Sequence, residues 1–137
     1  MFEIWLVEDS DSDAESMERL LRQERVTNAV VRLVDGASAI EYFNRIDQSL
    51  ESGAQPAPSV LLLDLKLPGF DGFEILADIK SRAAFSKTLK VVFSDFQSTE
   101  EIKRSYAAGA QSFLTKPVNA DDLHELIMTF PDYWLLQ

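Results

Sequence analysis

Residues 60–72 read VLLLDLKLPGFDG. Four consecutive apolar residues are followed at once by an acid, Asp64. A continuous apolar run of this length suits a short strand buried on both faces, the mark of a parallel sheet. Four more runs of the same kind stand at Ile4–Val7, Ala29–Val34, Leu89–Phe93 and Ser112–Thr115.

The segments between these runs carry helical spacing. Ala14, Met17, Leu20 and Leu21 make one apolar stripe, and Leu123, Leu126, Ile127 and Phe130 make another. Ile40 and Phe43 mark the second helix, Phe73, Leu76 and Ile79 the third, and Ile102 and Tyr106 the fourth. Ser98 with Glu101 reads as a capping box, Asn119 with Asp122 as an N-cap, and Gly109 as a helix stop. Five strands alternating with five helices predict a doubly wound α/β fold around a five-stranded parallel sheet. The stretch from Arg45 to Pro58, RIDQSLESGAQPAP, reads as a long solvated connection. With 137 residues, 46% hydrophobic and 26% charged, the chain suits one domain over 1–137, with an apolar tail at 131–137.

A doubly wound sheet binds its ligands beyond the carboxyl ends of its strands. The first strand ends on Glu8-Asp9, the third on Asp64, the fourth on Ser94 and the fifth on Lys116-Pro117. Three carboxylates, a hydroxyl and an ammonium are therefore expected on one edge. Carboxylates brought this close need a cation, and an all-oxygen donor set suits Mg2+. The chain has one histidine and no cysteine, which argues against zinc. A carboxylate can attack phosphorus to give an aspartyl phosphate. Lys116 would then offset the added charge and Ser94 would hydrogen-bond a phosphoryl oxygen. The blander readings are an acid opening a turn, acids near a helix N-terminus and a surface lysine. Each is reasonable alone and less so when all occur together. His124 has no partner at ligand spacing and reads as a surface residue.

Together the segments LVEDS (6–10), LLLDLKLPGFDG (61–72), VVFSD (91–95) and FLTKPV (113–118) resemble the receiver domain of two-component response regulators. The resemblance covers essentially the whole chain. It implies a flavodoxin-like sheet of order 2-1-3-4-5 and a stand-alone regulator that takes a phosphoryl group from a sensor histidine kinase or phosphotransfer protein. It implies Asp64 as phosphoacceptor, with Ser94 and Lys116 assisting. Asp9, Asp64, the backbone carbonyl of Lys66 and, through water, Glu8 would hold Mg2+. Ser94 and Phe113 would be the switch residues, and the Lys116-Pro117 bond would be cis. The longer connection before Pro58 is similar to that of small regulators serving phytochrome-like kinases. Such a protein is a phosphoacceptor, not an enzyme with a separate substrate, and it works in the cytoplasm.

One position departs from the family pattern. A small residue usually follows the switch Ser/Thr, whereas Asp95 stands here. An acid there narrows the entrance and repels anionic phospho-donors. It leaves open an alternative, a degenerate receiver acting as a phosphorylation-independent interaction module. The side chain of Lys66 is expected to touch the phosphoryl group or a partner, or to be solvated. A phosphohydrolase with an aspartate nucleophile would need an acid where Lys66 stands. A flavin or dinucleotide binder would need a phosphate loop where EDSDSD stands (8–13).

The net charge of −10 argues against nucleic acid and anionic membrane surfaces as partners. The chain stops at Gln137, without room for an output domain, so a phosphorylation-sensitive surface is expected to contact a downstream protein. By the resemblance that surface includes Ile102, Lys103, Tyr106, Phe113 and Leu123. The ending FPDYWLLQ has two readings: a flap folded over the core, or a contact with a partner or a second copy in a homodimer.

Overall fold

The computed structural model describes residues 2–50, 56–95 and 98–137. Among the described residues seven strands and five α-helices follow in order: β1 (Glu3–Val7), α1 (Asp11–Gln23), β2 (Ala29–Leu33), α2 (Gly36–Leu50), β3 (Val60–Asp64), β4 (Lys66–Leu67), β5 (Phe70–Asp71), α3 (Gly72–Lys80), β6 (Leu89–Ser94), α4 (Thr99–Ala107), β7 (Ser112–Thr115) and α5 (Ala120–Thr129). Strands β2-β1-β3-β6-β7 form one parallel sheet in that order. With the two-residue hairpin β4-β5 set aside, this is the expected 2-1-3-4-5 order.

Period-two alternation sorts the central strands onto two cores. Ile4, Leu6 and Leu62 face α1 and α5, meeting Met17, Leu21, Leu123 and Ile127. Trp5, Val7, Leu61 and Leu63 face α2 and α3, meeting Phe43, Ile46, Leu76 and Ile79. On that side Trp5 stacks on Phe43 at 6.3 Å between ring centroids, and Phe85 packs edge-on against both. Each such pair adds about 0.5–1.5 kcal/mol beyond its buried area.

Caps set where the helices start. Ser10, Asp71, Ser98 and Asn119 each accept a backbone N–H from the first turn of α1, α3, α4 and α5. Gly109 takes φ +114 just past α4, a conformation that favours glycine.

Three expectations change. The run Ala29–Val34 is not buried on both faces: β2 is an edge strand, only Leu33 in it is buried, and Val34 lies beyond it and exposed. Helix α2 continues through Arg45 to Leu50, because Ile46 completes the stripe of Phe43 and is fully buried. Arg45 to Leu50 is therefore not loop, and positions 51–55 of the expected connection lie outside the described residues. In α4 the expected stripe is weak, with Tyr106 exposed and Ser105 the buried residue.

The tail folds over the core. Trp134 is buried among the α1–α5 cluster, with Phe130 and Tyr133 packed beside it. Asn28 pins the tail, donating to the Tyr133 carbonyl and accepting the Leu135 N–H at 2.7 Å. Leu136 forms an antiparallel bridge with Val26.

Candidate functional site

The order of the sheet reverses at β1, so β1, β3 and β6 open a crevice at their carboxyl ends. Glu8 follows β1, Asp64 closes β3, Ser94 closes β6 and Lys116 follows β7. Register holds them together: Asp64 pairs with Phe93, Ser94 pairs with Thr115, and the Lys116 N–H donates to the Ser94 carbonyl at 2.8 Å. The Lys116-Pro117 bond is cis.

Lys116 is the hub. Its ammonium donates to Glu8 Oε1 at 2.5 Å, Asp13 Oδ2 at 2.8 Å and Asp64 Oδ2 at 3.0 Å, and it lies 5.1 Å from the Phe93 ring centroid. Glu8 and Ser94 are fully buried and Asp64 is nearly so, while Asp9 is exposed. The other oxygen of Asp64 accepts the Lys66 N–H at 3.0 Å, which orients the carboxylate.

Electrostatics follow from this crowding. Burial pushes the Glu8 carboxyl up to about 8, and its hydrogen bond with Asp64 adds to the rise, while Lys116 pulls the other way. Burial would pull the Lys116 ammonium down, but hydrogen bonds to Asp13, Glu8 and Asp64 prevail and raise it above the ordinary lysine range. Glu8, Asp9 and Asp64 each bring a carboxylate oxygen to within 4.8 Å of the others. That all-oxygen set fits a hard divalent cation. A buried carboxyl raised in this way when no cation is present is what such a site produces.

Two features escaped the sequence reading. Asp13 joins the site through its bond to Lys116. The signal was present in EDSDSD, because the first turn of α1 rises directly from the end of β1. Lys66 pairs with Asp95 at 3.1 Å, with both side chains exposed. This contact holds the Asp95 carboxyl below the usual carboxylate range. The charge of Asp95 is therefore opposed by that of Lys66. Phe113 is half-buried against the α2–α3 core. Leu123 is fully buried and leaves the expected output surface, whereas Lys103 and Tyr106 are exposed on it. His124 is exposed and lies 2.7 Å from Glu24.

A family model described as the response regulator receiver domain matches residues 4–128. Response regulator Rcp1 of Synechocystis sp. is 31% identical over 132 residues, covering 96% of this chain and 88% of its own length. Its Mn2+-bound crystal structure superposes with a TM-score of 0.75 at 30% identity, over 100% of this chain and 99% of that one. The bacteriophytochrome response regulator AtBRR gives a TM-score of 0.80 at 31% identity, covering 100% of this chain and 97% of that one. The phosphorylated cyanobacterial phytochrome response regulator RcpA gives 0.74 at 32% identity, covering 97% and 93%.

Proposed function

The chain belongs to the response regulator receiver family, and from that premise we propose that it is a phosphorylation-controlled signalling switch whose acceptor is Asp64. The observation that carries the proposal is the bond from the Lys116 ammonium to Asp64 beside Glu8 and Asp9, at the carboxyl edge of the sheet.

In the proposed step an oxygen of Asp64 attacks the phosphorus of a phosphohistidine. The P–N bond breaks as the P–O bond forms, and the released imidazole nitrogen takes a proton. The Lys66 N–H holds one Asp64 oxygen. Lys116 offsets the charge of the arriving phosphoryl group. Ser94, fully buried at the end of β6, supplies a hydroxyl to a phosphoryl oxygen and passes the change to Phe113 on the neighbouring strand. Glu8, Asp9, Asp64 and the Lys66 backbone carbonyl would hold Mg2+, which when bound neutralises phosphoryl charge. Two related structures support this reading of the site, one Mn2+-bound and the other phosphorylated. On this reading the protein serves its own phosphorylation and dephosphorylation and turns over no separate substrate.

The donor we infer is a sensor histidine kinase of phytochrome type, as the names of the relatives suggest, and we place this protein in the cytoplasm. The receiving surface for a downstream protein is the α4–β7–α5 face with Lys103 and Tyr106. The degenerate alternative drew on Asp95, and the pairing of that residue with Lys66 weakens the motive for it. The test is intact-mass analysis after incubation with acetyl phosphate and Mg2+. The wild type should gain one phosphoryl group and Asp64→Asn none. Equal labelling of both would place the acceptor elsewhere.

A further inference from the structure

An ammonium has three N–H donors. Those of Lys116 are all engaged, by Glu8, Asp13 and Asp64. The ring of Phe93 lies close by. A phosphoryl oxygen can therefore reach this lysine only by displacing one of the three carboxylates. Burial decides which one leaves. The side chains of Glu8 and Asp64 are 0% and 6% exposed, so neither can turn to water on leaving the ammonium. The side chain of Asp13 is 44% exposed and can turn to water.

We propose that Asp13 is the exchangeable partner of Lys116, holding the ammonium while Asp64 is unmodified and yielding to a phosphoryl oxygen once Asp64 carries one. The inference rests on Asp64 being the acceptor. Asp13 is then a positioning residue that acts through Lys116, and its charge sets how strongly the phosphorylated form is favoured. The exchange has a structural consequence. Asp13 ties the first turn of α1 to the loop after β7, across 103 residues of sequence. Both residues line a cavity of about 260 Å³ whose other walls include Met17, Phe93, Pro117 and Val118. Release of Asp13 would loosen that turn and open the cavity, giving phosphorylation a second exposed outcome at α1, away from the α4–β7–α5 face.

The test is calorimetric titration with beryllofluoride in saturating Mg2+, together with urea unfolding of the unliganded proteins. Asp13→Asn removes the competing charge and should bind about tenfold more tightly without becoming more stable. Asp13→Glu should return the affinity toward the wild type. A merely structural role would lower stability and affinity together. In the wild type, amide hydrogen exchange over residues 11–14 should quicken on beryllofluoride binding. Slowed or unchanged exchange there would overturn the proposal even if Asp13→Asn failed to fold. Wild-type binding with unchanged or weaker affinity in Asp13→Asn would sink the exchange and leave the acceptor reading standing. No response from the wild type would sink both.

Discussion

Glu8→Gln should remove a large part of the pH dependence of stability in the metal-free protein. Glu8 is fully buried, and its carboxyl stands at about 8 in the fold against an ordinary value of 4.5. A raised carboxyl stabilises the fold while it keeps its proton, and that contribution fades as pH rises through the folded value. It is complete below 4.5 and gone above about 8. At pH 6 the folded state favours the protonated acid by about two pH units, roughly 3 kcal/mol at 1.36 kcal/mol per unit. At pH 9 the acid is ionised in both states and the contribution vanishes. Wild type should therefore lose about 3 kcal/mol more than Glu8→Gln between pH 6 and pH 9. With a urea slope of about 2 kcal/mol/M, that is a midpoint difference of about 1.5 M. The assay is urea unfolding in EDTA at both pH values, comparing the pH-induced shift in each protein so that other groups cancel. Saturating Mg2+ should shrink the wild-type shift, because a bound cation takes the place of the proton. An equal shift in wild type and Glu8→Gln would refute the claim that burial and Asp64 hold this proton.

Two further outcomes follow from contacts described above. Acetyl phosphate labelling should slow in Lys66→Ala, where Asp95 loses its counterion, and quicken in Asp95→Ala. An exposed pair of this kind is worth about 0.2–1 kcal/mol, so rate changes of up to roughly fivefold are expected, and equal rates in all three proteins would discard the pair as an influence on access. Trp134→Ala should destabilise the fold by about 3–5 kcal/mol in urea unfolding, because the ring fills the core between α1 and α5. A loss below about 1 kcal/mol would mean that the tail is dispensable to the fold.

Much of this protein was legible in its sequence because the governing signals are local. The strands show as apolar runs within single segments, and the caps at Ser98 and Asn119 act over three residues. Glu8, Asp64, Ser94 and Lys116 each stand at the end of a strand or just after it, so all four could be placed on one edge as soon as the fold class was known. Errors arose where packing between elements overrode local pattern. Arg45 to Leu50 looks polar enough for a loop, yet Ile46 finds the core beside Phe43 and the helix runs on. The run at Ala29–Val34 looks like a central strand, yet the sheet ends there and leaves most of it half-covered.

Tertiary structure alone decided which charged groups meet. The partners of Lys116 lie 108, 103 and 52 residues away, and Asp95 lies 29 residues from Lys66. It also chose the folded-over reading of the tail, through the pocket for Trp134 and the bonds from Asn28. Periodicity states which face a side chain occupies, but not which side chain on another element stands within hydrogen-bond reach. The sequence by itself therefore determined the place of Asp64, the acids around it and the sheet that presents them. The engagement of every proton on Lys116, and the place of Asp13 among its partners, came only with the fold, because distances between elements are set by how their cores pack.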